Sequence, residues 1–344
     1  MRATFRDDAH GVRALTWRES GKKDVVATLS NAHRREDIQL RGPGGRIGCD
    51  LLTPATSGKH PAAVLVPGAG ANNRYDVYMI AQVFAEHGVA ALACDKRGTG
   101  TSEGDWRLTS FEQQAADVGT GVAFLRQRPE IDPHRVGVFG FSEGAWVAPM
   151  TVAENPRVAF LILAALPATS RRESVLIGNA DRLQREGAAA AEIARYREFF
   201  KHYQQVIMDN DAPAIELMWR QYAGASWLPA NKPTAETLND WSWQRARLTW
   251  PYEPGPVLSS ITCPVLAIWG ADDESFPPSI HRPRFEDSMR AARNARSTHR
   301  VIPGANHSFH LVAPSFLAVT GYVPEYFQTM VQWLMRVPRT RDPR

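Results

Sequence analysis

Short unbroken apolar runs, each followed by a stretch of helical periodicity, constrain this chain more than any other feature. Ala62-Ala63-Val64-Leu65-Val66 is the first such run, and continuous apolarity of that kind suits a strand covered on both faces. Met79, Ile80, Val83 and Phe84 then recur at helical spacing within 78–87, with Gly88 placed to end the helix. Val89 to Cys94 reads as the next buried strand. Across 110–126, Phe111, Ala115, Val118, Val122 and Leu125 share one helical face, and Ser110 and Gln113 have the spacing of a capping box. Further strands are expected at 136–139, 158–165, 264–269 and 298–302, with helices through Ala145 and Val152, over 288–294 and over 324–337. Alternation of this sort requires crossover connections, which give a mostly parallel sheet with helices on its faces. The expected class is α/β.

Two regions break the rhythm. Before it, Asp37-Ile38-Gln39-Leu40-Arg41 alternates, Gly42-Pro43-Gly44-Gly45 turns, and Arg46 to Leu52 can return as the second strand of a hairpin. Residues 1–36 are polar and weakly periodic, an arm with at most a strand in it. Within it, residues 169–259 lack buried-strand runs, carry a strong helical stretch at 188–208, and hold Trp219, Trp227, Trp241, Trp243 and Trp250. One sheet domain, 37–168 with 260–344, interrupted by a helical insertion at 169–259, accounts for this. The aromatics fit either a small core or the walls of a substrate pocket.

Composition narrows the function classes. At 344 residues, 44% hydrophobic and 22% charged, the chain can bury a large core, so disorder and small disulfide scaffolds are excluded. No apolar run approaches the ~20 residues of a membrane span. The net charge of +4 comes from basic residues scattered beside acidic ones, a solvated mixed surface and no nucleic-acid footprint. Cys49, Cys94 and Cys263 are odd in number and lack CxxC spacing. Cys94 and Cys263 read as small buried hydrophobes, which favours a reducing compartment. The N-terminal residues contain no apolar signal segment, so the expected location is cytoplasmic.

The chemistry gathers where strands end. Gly140-Phe141-Ser142-Glu143-Gly144 lies between a buried strand and a helix. A tight strand-to-helix turn holds its central residue in a strained backbone state and presents the hydroxyl above the sheet. Serine needs a base to take its proton and an acid to orient that base. Gly270-Ala271-Asp272-Asp273 follows one apolar run, and Pro303-Gly304-Ala305-Asn306-His307 follows the last strand. Asp273 is the preferred acid, with Asp272 as the alternative, and His307 is preferred over His310. His307 and His310 lack a third ligand for a metal. For the oxyanion, the Glu143 N–H is one donor, and the Pro67-Gly68-Ala69-Gly70 loop offers Ala69, or else Gly70, as the second.

These motifs resemble the α/β-hydrolase superfamily over roughly 37–333. Asp95-Lys96-Arg97-Gly98-Thr99-Gly100-Thr101-Ser102 is similar to its Asp-x-Arg-Gly-x-Gly-x-Ser signature, in which Asp95 and Arg97 brace the loop. Pro67 to Arg74, Ser142-Glu143-Gly144 and Ala148-Pro149 resemble bacterial carboxylesterases with a helical cap. The resemblance implies an eight-stranded, mostly parallel sheet and an acyl-enzyme mechanism without cofactor or metal. Phe141 and Pro67 stand where that family often has His. The expected partner is a small-molecule ester, cleaved by Ser142, His307 and Asp273; oligomeric state is not readable. A thioesterase or peptidase on the same residues is the alternative enzyme, and a catalytically silent ligand-binding protein is the alternative outside enzymes.

Overall fold

The computed structural model describes residues 33–311 and 321–337 in full, together with the backbone of 2–8, 11–18 and 25–28. Those three N-terminal segments are strands β1 (Arg2–Asp8), β2 (Gly11–Arg18) and β3 (Val25–Thr28), paired antiparallel in sequence order. The sequence led us to expect a polar arm with at most one strand, because polar residues of weak periodicity carry no burial signal.

The main sheet has eight strands: β4 (His33–Gly42), β5 (Gly45–Pro54), β6 (His60–Val66), β7 (Ala90–Cys94), β8 (Ile131–Phe141), β9 (Leu161–Ala164), β10 (Val265–Gly270) and β11 (Ser297–Ile302). Their spatial order is β11-β10-β9-β8-β6-β7-β5-β4. Only β5 runs against the rest, since it pairs antiparallel with both β4 and β7. The β4–β5 hairpin closes through Pro43 and Gly44, with Gly45 at a positive φ of 114°. The central strands β6, β9 and β10 are buried at every residue but Pro61, as their unbroken apolar runs require.

Helices α1 (Tyr78–Glu86), α2 (Phe111–Gln127), α3 (Gly144–Glu154), α9 (Pro278–Ala291) and α10 (Pro324–Leu334) accompany the sheet, whose two faces carry separate apolar clusters. Ser110 and Gln113 form the capping box at the start of α2. The helix expected at 288–294 instead begins at Pro278 and ends at Ala291. Pro278 fits a first helical position, whereas Pro283 interrupts the backbone bonding and hides the first turns from a periodicity reading.

Between β9 and β10 lie α4 (Arg171–Arg185), α5 (Ala190–Asp209), α6 (Ala212–Gln221), α7 (Trp241–Thr249) and the short α8 (Pro254–Leu258). This segment builds a third core of its own from Tyr196, Phe199, Phe200, Tyr203, Trp227 and Trp250, among others. Trp219 and Trp243 pack against it, while Trp241 is exposed and meets Trp106 at 5.4 Å between ring centroids.

Cys94 departs from its expected role as a free buried thiol. It is bonded to Cys49, directly opposite it in the antiparallel register of β5 and β7. Register is a tertiary outcome, so a separation of 45 residues gave no motif to read. Cys263 is free and buried, and burial pushes its thiol up to about 12.

Candidate active site

Ser142, Asp273 and His307 each lie beyond the C-terminal end of a parallel strand, β8, β10 and β11 respectively, where open α/β sheets gather their chemistry. Ser142 follows β8 at φ +54°, a left-handed conformation that a side chain adopts only under constraint. The constraint is visible on either side. A Cβ on Gly140 would run into the Gly144 carbonyl oxygen, and one on Gly144 would run into that of Val66. Strand β6, the turn and helix α3 therefore pack backbone to backbone, and the two glycines make that approach possible. The Ser142 N–H donates to the Ala164 carbonyl at 3.0 Å.

His307 and Ser142 meet across 165 residues of sequence, with His307 Nε2 3.0 Å from Ser142 Oγ. The other ring nitrogen, Nδ1, is 3.0 Å from both Asp273 carboxylate oxygens. Asp273 is buried and its Oδ1 also accepts from the Ser275 and Phe276 N–H groups, at 2.9 and 2.8 Å. The imidazole sits between Phe141 and Phe276, with ring centroids 5.5 and 5.2 Å away. Asp272 is exposed on the same loop. His310 turns toward Tyr322 at 4.5 Å and donates its backbone N–H to Asn306. Hydroxyl, imidazole and carboxylate thus form one hydrogen-bonded chain that can carry a proton from oxygen to nitrogen.

Ala69 and Glu143 border the same cavity as Ser142, a space of about 210 Å³ that Trp146, Arg171, Ser174, Val175 and Phe276 complete. None of the five insertion tryptophans lines it; among the described residues their place is the insertion core and surface. A tighter void of about 50 Å³ behind Pro67 and Lys96 touches none of the three chain members.

The Glu143 side chain has surroundings that the sequence reading missed. It is buried, accepts from Lys96 Nζ at 2.8 Å, and receives Arg245 Nη2 at 2.7 Å on both oxygens. Burial alone would raise its pKa, but Lys96, Arg245 and Arg171 outweigh this and hold it below the usual carboxylate range. Lys96 Nζ also donates to the Gly68 carbonyl. Carbonyl and following N–H point oppositely in a trans peptide, so this bond fixes which way the Ala69 N–H faces. Arg245 belongs to α7 and also reaches the Trp106 and Thr109 carbonyls, at 2.6 and 3.2 Å. One carboxylate therefore ties the turn at Ser142, the Gly68–Ala69 loop and helix α7 together. A charged residue inside the otherwise apolar 136–150 stretch was the available signal.

Behind this lies a bracing network. Arg74 is buried and reaches Asp95 through its backbone N–H, Nε and Nη2, and Asp50 through Nη1. Burial would raise Asp95, yet Arg74 and the Thr101 N–H hold it below its ordinary value. Arg97 pairs with Asp117 at 2.6 Å.

The family pattern described as "Alpha/beta hydrolase family" matches residues 63–319. The chain belongs to the alpha/beta hydrolase family. This hydrolase is 25% identical over 261 residues to the polyketide transferase ATR5 of Stachybotrys chlorohalonatus, covering 73% of the present chain and 84% of that protein. It is 33% identical over 134 residues to the thiohydrolase apmlB of Arthrinium phaeospermum, covering 39% and 43% respectively. The solved structure of the esterase Pf2001 of Pyrococcus furiosus superposes with a TM-score of 0.57 at 16% identity, over 90% of this chain and 96% of that one. At that identity the likeness concerns the fold. No helix among the described residues is long and apolar enough to cross a membrane.

Proposed function

We propose that this hydrolase cleaves carboxylic esters of small or medium acyl groups through an acyl-enzyme on Ser142. The observation that carries the reading is the continuous bonded chain from Ser142 through His307 to Asp273, with a 3.0 Å contact at each step. Ser142 Oγ attacks the acyl carbon while His307 Nε2 takes its proton. Asp273 holds the imidazole tautomer and stabilises the imidazolium. The backbone N–H groups of Ala69 and Glu143 receive the oxyanion. Collapse of the tetrahedral intermediate breaks the bond to the leaving alcohol, which takes the proton from His307. Water then gives a proton to His307 and attacks the acyl carbon, and Ser142 regains its hydrogen as the acid departs.

A second reading replaces the ester with an acyl thioester, favoured by the thiohydrolase among the relatives; the steps are unchanged apart from a thiol leaving group. A catalytically silent fold is disfavoured because all three polar groups are aligned and bonded. The Cys49–Cys94 bond argues against the reducing, cytoplasmic location read from the cysteines. Parallel turnover of p-nitrophenyl butyrate and a butyryl thioester by the native enzyme and Ser142→Ala tests the proposal. Loss of both activities toward the uncatalysed rate is expected; equal turnover by the two proteins refutes it.

A further inference from the structure

We infer that the substrate carries an anionic group, a carboxylate or its equivalent, close to the scissile bond, and that Arg171 binds it. The inference rests on the hydrolase reading above and narrows its substrate class.

Two guanidinium groups and one ammonium converge on the single carboxylate of Glu143. Arg245 is engaged through both terminal nitrogens, Nη2 by Glu143 and Nη1 by the Trp106 and Thr109 carbonyls. Lys96 is shared between Glu143 and Gly68. Arg171 is different. Its Nη1 lies 4.0 Å from Glu143 Oε2, beyond hydrogen-bond range, and its one hydrogen bond among the described residues runs from Nη1 to Thr249 Oγ1 at 2.9 Å. A guanidinium carries five N–H donors and stays charged at any working pH. Its Nε and Nη2 donors have no protein acceptor among the described residues.

The charges do not cancel. Glu143 supplies one negative charge against Arg171 and Arg245, so at least one positive charge is in excess whatever Lys96 carries. Burial acts against the Arg171 charge, and the nearby Arg245 adds to that. A half-buried excess charge is costly until a counter-charge joins it. The location for that counter-charge is defined, because Arg171 lines the cavity that holds Ser142, along with Ala69, Ser174 and Phe276. The transient oxyanion is served by the Ala69 and Glu143 amides. Arg171 is left for charge that resides in the substrate, and its planar fork suits a carboxylate.

Matched ester pairs test this. Mono-p-nitrophenyl adipate and its methyl ester place the charge, or its absence, on the acyl side; 4-butyryloxybenzoate and its methyl ester place it on the alcohol side. The native enzyme should favour the charged member of one pair by about ten- to a hundredfold in kcat/KM, the range of a charge-assisted hydrogen bond, chiefly through KM. Arg171→Met should abolish that ratio and Arg171→Lys should retain part of it. Fluorophosphonate labelling of Ser142 in each variant reports whether the site is still assembled. No charge preference in the native enzyme, or an equal loss on charged and neutral members in the variants, overturns the inference while leaving ester hydrolysis intact. Failure to turn over any ester would instead count against the hydrolase reading.

Discussion

Replacing Glu143 by Gln keeps the volume of the side chain and removes its charge. In the native protein that carboxylate receives Arg245 at 2.7 Å through both oxygens and Lys96 at 2.8 Å, all three groups being buried. Gln can accept through one oxygen only, and its amide N–H₂ group would face a cation. Removing one partner of a buried ion pair typically costs about 3–5 kcal/mol, because the other charge is left uncompensated. Here two cations lose their partner, so the loss should fall at the upper end of that range. Urea unfolding followed by tryptophan fluorescence measures it, as the insertion and the sheet domain both carry tryptophans. If the strain comes from the stranded cations, adding Arg245→Met to Glu143→Gln should recover stability instead of costing more, a coupling that a double-mutant cycle isolates. A loss below about 1 kcal/mol, or strict additivity in the cycle, would show that the cluster behaves like a solvent-screened surface pair and does not clamp the insertion to the elbow.

Two other perturbations follow from the same structure. Closing 45 residues with the Cys49–Cys94 bond should stabilise by about 4 kcal/mol in the chain-entropy treatment; Cys49→Ser should lower the urea midpoint accordingly, and an unchanged midpoint would contradict the pairing. His281 is held neutral, its pKa pushed down to about 4 by burial and then by Arg284, and its Nδ1 accepts from the Ala168 N–H at 3.1 Å. The unfolded chain protonates it near ~6.5, so its contribution is complete above that pH and disappears as pH falls toward 4, at a limiting slope of about 1.4 kcal/mol per pH unit. His281→Phe should flatten the stability profile between pH 6.5 and 4.5, and identical profiles would refute the assignment.

How much of this was legible depended on whether the signal was local. The central strands announced themselves because burial on two faces demands unbroken apolar runs, and the loops bearing Ser142 and Asp273 lie directly after such runs; the His307 loop follows the edge strand β11, which is only partly buried. Gly140 was readable for the same reason, since the backbone it must clear is that of Gly144; the approach of Gly144 to the Val66 carbonyl on β6 is a tertiary contact that only the motif hinted at. The Glu143 cluster was not. Arg245 is 102 residues and Lys96 47 residues from Glu143, and nothing in their own surroundings distinguishes them from solvated charges. The disulfide depends on strand register, which local pattern does not encode. Trp227 and Trp250 became core residues, with Trp219 and Trp243 packed against them, because helices α4 to α7 lie outside the sheet and need an interior of their own; Trp241 stays exposed. Helix α9 runs from Pro278 through Pro283 to Ala291, where the local pattern pointed only to 288–294, because tertiary packing tolerates the internal proline.

The most direct test of the central claim is to trap the covalent intermediate. Native enzyme treated with a fluorophosphonate, digested and analysed by mass spectrometry should carry the adduct on the peptide containing Ser142, and His307→Ala should label far more slowly. An adduct on another serine, or undiminished labelling without the imidazole, would contradict it.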